Sequence, residues 1–199
     1  MGRKRSFDAD EAVRAARSVF WSNGYEGASL PDLEAATGLN RSSIYHAFGS
    51  KRGLFDAAVD SYLNEVIRPR LRVLIEDPVP PDAVRTYLSG LKAALLARAS
   101  ASSENGCLMV NTAVAPIAKE EAVRERIAAY RAEIKAALES GLTHQPDFDR
   151  SRVAPTAMAI TSLVVAAMTL TRVDSAAAAE TIDAALALVG AETATSEAR

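Results

Sequence analysis

The chain is 199 residues long, 49% hydrophobic and 24% charged, with a net charge of −2. These proportions exclude a disordered chain, and the length allows one domain or a small one plus a medium one, either with a self-sufficient core. A single cysteine excludes an intrachain disulfide framework, and one cysteine with two histidines excludes the usual structural zinc sites. Abundant alanine, leucine and arginine with few β-branched runs favour helix, so the predicted fold class is all-α, with no cofactor or metal. The start, MGRKRSFDADEA, has no apolar core, so no signal peptide is expected and the cytoplasm is the default location. The charge is unevenly spread. Residues 1–52 carry eight Lys or Arg (3, 4, 5, 14, 17, 41, 51 and 52) against six Asp or Glu, a net +2 that leaves −4 on the remainder. A basic end on an acidic body suits nucleic-acid contact by the N-terminal part.

The first predicted helix runs from Asp8 to Asn23. Asp8 and Glu11 are spaced as a capping box, Ala9, Ala12, Val13, Ala16, Val19 and Phe20 recur at helical spacing, and Gly24 ends it. Next, SLPDLEAATGLNRSSIYHAFGSK at 29–51 reads as two short helices joined by a tight turn, with a third opening at Lys51. Ser29 and Asp32 form a capping box for the first of these helices. Gly38 falls where a helix ends in a left-handed residue, a conformation glycine adopts without steric penalty. Asn40 caps the second helix, and Leu39 with Ile44 has the spacing of a hydrophobic staple. Ile44 and Phe48 share the inward face. Arg41, Ser42, Ser43, Tyr45 and His46 are left outside, short or hydrogen-bonding, as a helix entering a DNA groove requires.

The following helix starts at Ser50, buries Leu54, Phe55, Ala58, Val59, Tyr62, Leu63 and Val66, and is interrupted at Pro69. DPVPP at 77–81 is the clearest boundary, since its prolines exclude helix. Beyond it, helices are expected at about 82–101, 107–118, 119–142, 149–172 and 175–190, linked by SSENG at 102–106 and THQPD at 143–147. Val153 to Thr171 carries no charge, which raises the question of a membrane span. Pro155, Thr156, Thr161, Ser162, Thr169 and Thr171, with no aromatic belt, favour a helix buried between the domain and a partner instead.

The string GLNRSSIYHAFGSKRGLF resembles the recognition segment of TetR-type transcriptional regulators, in which a Tyr-His pair, a Phe, a Gly-Ser-Lys corner and a Leu-Phe follow in this order. Phe20, Gly24, Tyr25, the Ser29 start and Ala35-Ala36 fall in the same register, and the resemblance spans roughly residues 7–63. It implies an N-terminal three-helix helix-turn-helix domain over residues 1–52, a bridge helix at about 50–68, and a C-terminal helical ligand-binding and dimerisation domain over 69–199. It further implies a homodimer on an inverted-repeat operator, with half-sites roughly 34–36 Å apart, acting as a repressor released by a small apolar effector. In that family Tyr45 and Lys51 would contact phosphate, the latter at a helix N-terminus, with Ser29 doing likewise. Arg41, Ser42, Ser43 and His46 are candidates for base edges, Arg3, Lys4 and Arg5 for a minor-groove or backbone arm, and Asn40 at the cap is a further DNA-binding candidate.

For the effector, the pool of lining residues comprises Tyr87, Leu91, Cys107, Leu108, Val110, Asn111, Val114, Tyr130, Ile134, Met158 and Ser162. The last two helices would meet their two-fold mates in a four-helix interface, through Met158, Ser162, Val165 and Met168 on one and Ile182, Ala185, Leu186 and Val189 on the other. Cys107, at a helix start where the dipole favours an anion, leaves open a thiol-based electrophile or redox sensor of the same family. A helix-turn-helix used for protein contact, or a regulator that activates rather than represses, remains open. No glycine-rich phosphate loop, paired-carboxylate motif or nucleophile motif is present, so no enzyme is expected.

Overall fold

The computed structural model describes residues 8–97 and 100–190, and among these every regular element is a helix. Helix α1 spans Ala9–Gly27, with the Asp8 carboxylate accepting the N–H groups of Asp10 and Glu11 at 3.0 and 3.2 Å. Its backbone breaks at Gly24 (φ 72°, ψ 172°), yet a last turn follows, because the Ala28 N–H reaches the Gly24 carbonyl at 3.1 Å. Helix α2 (Leu30–Thr37) starts with both halves of the Ser29–Asp32 capping box formed, and stops at Gly38 in the left-handed region (φ 67°, ψ 9°). Asn40 Oδ1 accepts the Ser43 N–H at 2.8 Å and opens α3 (Arg41–Phe48). Ser50 does the same for Gly53 at the head of α4 (Lys51–Tyr62).

Helices α2 and α3 have eight residues each, too short to persist alone in water. Packing holds them. Leu33, Ile44 and Leu54 are fully buried, and the Phe55 ring meets Phe20 and Tyr25 edge-on with centroids 5.1 Å apart. Each such side chain contributes about 1.5–3 kcal/mol on burial, enough together to fix both helices against α1 and α4.

Pro69 does not interrupt the bridge helix as its lack of an N–H suggests. Residues Leu63–Ile67 form a π turn, and α5 (Arg68–Ile75) then continues with Pro69 in its first turn. The widened π turn absorbs the lost bond and the ring's clash with the preceding turn. Three further segments differ from the sequence reading. The expected 82–101 helix ends early as α6 (Ala83–Leu96), and the SSENG link is mostly helical, as α7 (Ala101–Asn105), because Ser100 and Ser103 cap it reciprocally. The 107–118 helix is only α8 (Leu108–Ala113), followed by a 3-10 turn at Pro116–Lys119 that starts on the proline. Helix α9 (Glu121–His144), a 3-10 turn at Arg150–Arg152, α10 (Val153–Leu170) and α11 (Ser175–Gly190) complete the described residues.

In the body, α10 lies against α9 and α11, α11 against α6, and α5 between α6 and α9. The residues expected at the interface divide in this packing. Met168, Ile182, Ala185 and Val189 are each at most 5% exposed and buried within their own chain, where α11 packs on both α10 and α6. Met158 and Ser162 remain exposed, and Val165 and Leu186 half-exposed. The segment Arg150–Leu170 is long and apolar enough to cross a membrane, with a mean hydropathy of 1.8; its α10 part packs against α9 and α11 and leaves the rest of its surface open.

The α1–α4 unit and the body are tied together. Trp21 Nε1–H donates to the Gly106 carbonyl at 3.2 Å, the Ile117 N–H donates to Glu26 at 2.9 Å, and Arg126 pairs with Asp60 at 2.9 Å. Arg52 pairs with Glu120. Gly106 has φ 66°, and a Cβ there would lie 2.6 Å from the Met168 carbonyl oxygen, so only glycine permits this junction.

Candidate nucleic-acid interface and internal cavity

On α3, Ile44 points inward while Arg41, Ser42 and His46 are exposed and Ser43 and Tyr45 half-buried. The Arg41 guanidinium lies 5.3 Å from the centroid of the Tyr45 ring, a cation–π contact that narrows its range of positions at the helix N-terminus. The Glu34 carboxylate accepts the Arg41 N–H, closing the turn between α2 and α3. Asn40 is exposed with its side-chain oxygen used by the cap. The Ser29 hydroxyl is likewise engaged, 2.6 Å from Asp32, and this bond with the Ser29 N–H holds the Asp32 carboxyl below its usual range.

Lys51 and Arg52 are adjacent but differ in what they can do. Lys51 Nζ rests 4.6 Å from the centroid of Tyr25 at the start of α4, with no carboxylate partner among the described residues. Arg52 is occupied by Asp56 and Glu120. Tyr25 is itself stacked on Phe20, and burial pushes its hydroxyl above the ordinary value, so the seat for Lys51 is rigid and neutral. The α3 surface, the N-terminus of α2 and Lys51 at the N-terminus of α4 together offer short polar groups flanked by sites suited to phosphate. Arg3, Lys4 and Arg5 lie outside the described residues.

Inside the body a cavity of about 20 Å³ is bordered by Tyr62, Arg70, Tyr87, Leu91, Cys107, Tyr130 and Ile134 among others. Burial pushes the Tyr87 hydroxyl up to about 12 and raises the Tyr62 and Tyr130 hydroxyls well above the ordinary range. The Cys107 sulfur lies 3.2 Å from the Tyr130 hydroxyl, and the thiol is buried at the N-cap of α8. Tyr130 also lines a more open groove of about 330 Å³, whose walls include Met109, Val110, Val114, Ile127, Ser162 and Val165. The expected pocket residues thus divide. Tyr87, Leu91, Cys107 and Ile134 border the cavity, Val110, Val114 and Ser162 the groove, and Tyr130 both. Leu108 is in the core, the Asn111 amide donates to the Asn105 carbonyl at 2.8 Å, and Met158 is exposed with its sulfur 2.9 Å from an Arg131 nitrogen.

A family profile described as bacterial regulatory proteins of the tetR family matches residues 12–58. The structure is also similar, at a TM-score of 0.75 and 30% identity, to the TetR family transcriptional regulator CifR, solved as a cysteine mutant on 26-base-pair operator DNA. That similarity covers 92% of this chain and 98% of CifR. The chain belongs to the TetR family. Among its relatives are the Escherichia coli (strain K12) transcriptional repressor ComR, 32% identical over 55% of this chain and 51% of ComR, and the repressor BdcR of the same strain, 34% identical over 38% and 39%. The matches to these two therefore span about half of their length or less. A second solved TetR regulator, from Chloroflexus aurantiacus, has 25% identity and a TM-score of 0.70, with 92% of each chain covered. The relatives and the fold are those of regulators, not enzymes.

As a TetR chain, the protein carries several contacts that its sequence pattern left unmarked. Trp21 and Tyr62 belong to helices whose inward faces were legible, while Tyr25 and Arg70 lie just past predicted helix ends, and the partners of all four come from 26 to 85 residues away. The one available signal was compositional. Trp21 is the only tryptophan, and Arg70 follows Pro69 at a place where the helix was expected to have ended.

Proposed function

We propose that this TetR-family protein is a homodimeric repressor that reads an inverted-repeat DNA site and is released by a small-molecule effector. One observation carries the DNA reading: α3 is anchored by Ile44 while Arg41, Ser42 and His46 stand exposed beside Lys51 and Tyr45. In this reading residues 1–52 form the DNA-binding domain, the helical stretch at about 50–68 the bridge, and residues 69–199 the effector and dimerisation domain. Arg41, Ser42, Ser43 and His46 meet base edges, with Arg41 suited to guanine, while Tyr45, Lys51 and the N-termini near Ser29 and Asn40 meet phosphate. The dimer forms through the open face of α10 and its neighbour α11, which an apolar helix with one uncovered side supports. The effector lies between α8, α9 and α10, and its binding favours a conformer in which the two reading heads no longer match the half-site spacing.

The test is selection of bound fragments from random DNA with the purified full-length protein, followed by titration against salt. An enriched inverted repeat with a steep salt slope supports the reading. No enrichment from a folded dimer at low salt would put the protein-contact alternative first.

A second reading, favoured by the Cys107 sulfur at 3.2 Å from the Tyr130 hydroxyl beside the cavity, makes the thiol the trigger. Cys107→Ser then abolishes release of DNA by a quinone or aldehyde; unchanged release rejects it.

A further inference from the structure

Arg70 stands apart from the other arginines of its region. Arg14, Arg17, Arg52, Arg68, Arg72 and Arg126 each pair with a carboxylate. Half-buried Arg70 donates only to the Ser102 hydroxyl, at 3.1 Å, and has no ion-pair partner among the described residues. It borders the internal cavity together with the Tyr62, Tyr87 and Tyr130 side chains. A guanidinium held partly out of water without a counter-charge is costly unless an anion completes it, and its planar fork matches a carboxylate. The surrounding phenols are further donors.

The cavity, at about 20 Å³, has room for little more than a water molecule. The groove of about 330 Å³ beyond Tyr130 is at the lower end of the range for small-molecule sites, is mostly apolar, and carries Arg131, again without a carboxylate partner among the described residues. Tyr130 is the wall common to both.

We propose that the effector is an apolar carboxylic acid: its body fills the groove on Met109, Val110 and Val165, Tyr130 swings aside, and its carboxylate completes Arg70. This rests on the effector reading above and names its ligand class. The site also has an output. The Tyr62 ring packs edge-on against Trp21 at 4.8 Å, and Trp21 donates to Gly106, so an occupant that displaces Tyr62 presses on α1 of the reading head.

Trp21 is the only tryptophan, so its emission reports on the site in the full-length protein. Phenylacetate and octanoate are titrated, each against its neutral amide, with thermal melting by circular dichroism in parallel. The acids are expected to change Trp21 emission saturably and to bind at least about tenfold more tightly than the amides. Arg70→Met removes that preference, and Arg70→Lys weakens acid binding by loss of the fork. Equal binding of acid and amide, or unchanged acid binding by both variants, overturns the assignment. Amides that bind and release DNA while acids do not would overturn the anion class and leave the effector reading standing. Neither acids nor amides shifting emission or melting counts against the proposal; an apolar library that also fails to release DNA removes the effector reading with it. Should Arg70→Met not fold, Arg70→Lys and the acid-amide comparison decide.

Discussion

Trp21→Phe tests the junction between the reading head and the body. Trp21 is 6% exposed, and its Nε1–H reaches the Gly106 carbonyl across 85 residues of sequence at 3.2 Å. Phenylalanine keeps a ring against Tyr62 but removes the donor, leaving a buried carbonyl unpaired at a cost of about 1–3 kcal/mol. The absent ring atoms leave a small void worth about 1 kcal/mol more. The sum, about 2–4 kcal/mol, corresponds to a fall of roughly 4–16 °C in Tm for a chain of this size. Circular dichroism at 222 nm is the suitable assay, since the variant has lost its fluorophore. A fall near the top of that range with a single transition would mean that head and body unfold as one unit. A change below about 0.5 kcal/mol would refute the reasoning, because it would mean that Gly106 already has water as an alternative partner and the junction carries no stability.

Ile44→Ala, at a fully buried position, should destabilise the protein by about 2–5 kcal/mol in chemical denaturation, and a cost under 1 kcal/mol would show that α3 is not held by this anchor. Arg41→Ala should cost about 1–3 kcal/mol on the selected operator and relax specificity at one base position; equal weakening on random DNA would make Arg41 a backbone contact. Lys51→Met should weaken binding to all sequences and reduce the salt slope by about 0.9 for each head, as read from log affinity against log salt. The Asp32 carboxyl is held below its usual range by Ser29, so its contribution is present above that range, near pH ~4, and is lost as pH falls through the lowered value. The difference in Tm between wild type and Asp32→Asn should therefore shrink between pH 7 and pH 2, and a difference that grows in acid would contradict this assignment.

Local rules were enough for the reading head. Ser29, Gly38, Asn40 and Ser50 fix where three helices begin or end through bonds to residues three or four positions away, so their roles can be read directly along the chain. Ile44 and Phe48 follow from the helical period. The exceptions show where such rules stop. Pro69 lies within a continuing helix because the turn before it opens to a π turn, and Ser100 with Ser103 makes a helix of a segment rich in link-forming residues. The stripe of Ile182, Ala185 and Val189 was correctly apolar, but period alone does not say what covers it, and helices of the same chain, α10 and α6, pack on α11.

The sequence by itself determined the all-α class, the caps and turn of the helix-turn-helix, and which α3 residues face outward, since each depends on neighbours within one or two helical turns. Only the tertiary structure decided which aromatic ring seats Lys51, that Trp21 reaches Gly106, and that Arg70 shares a cavity with three tyrosines. Those pairings join residues on separate helices, and the way the helices cross, which no local spacing encodes, brings them together.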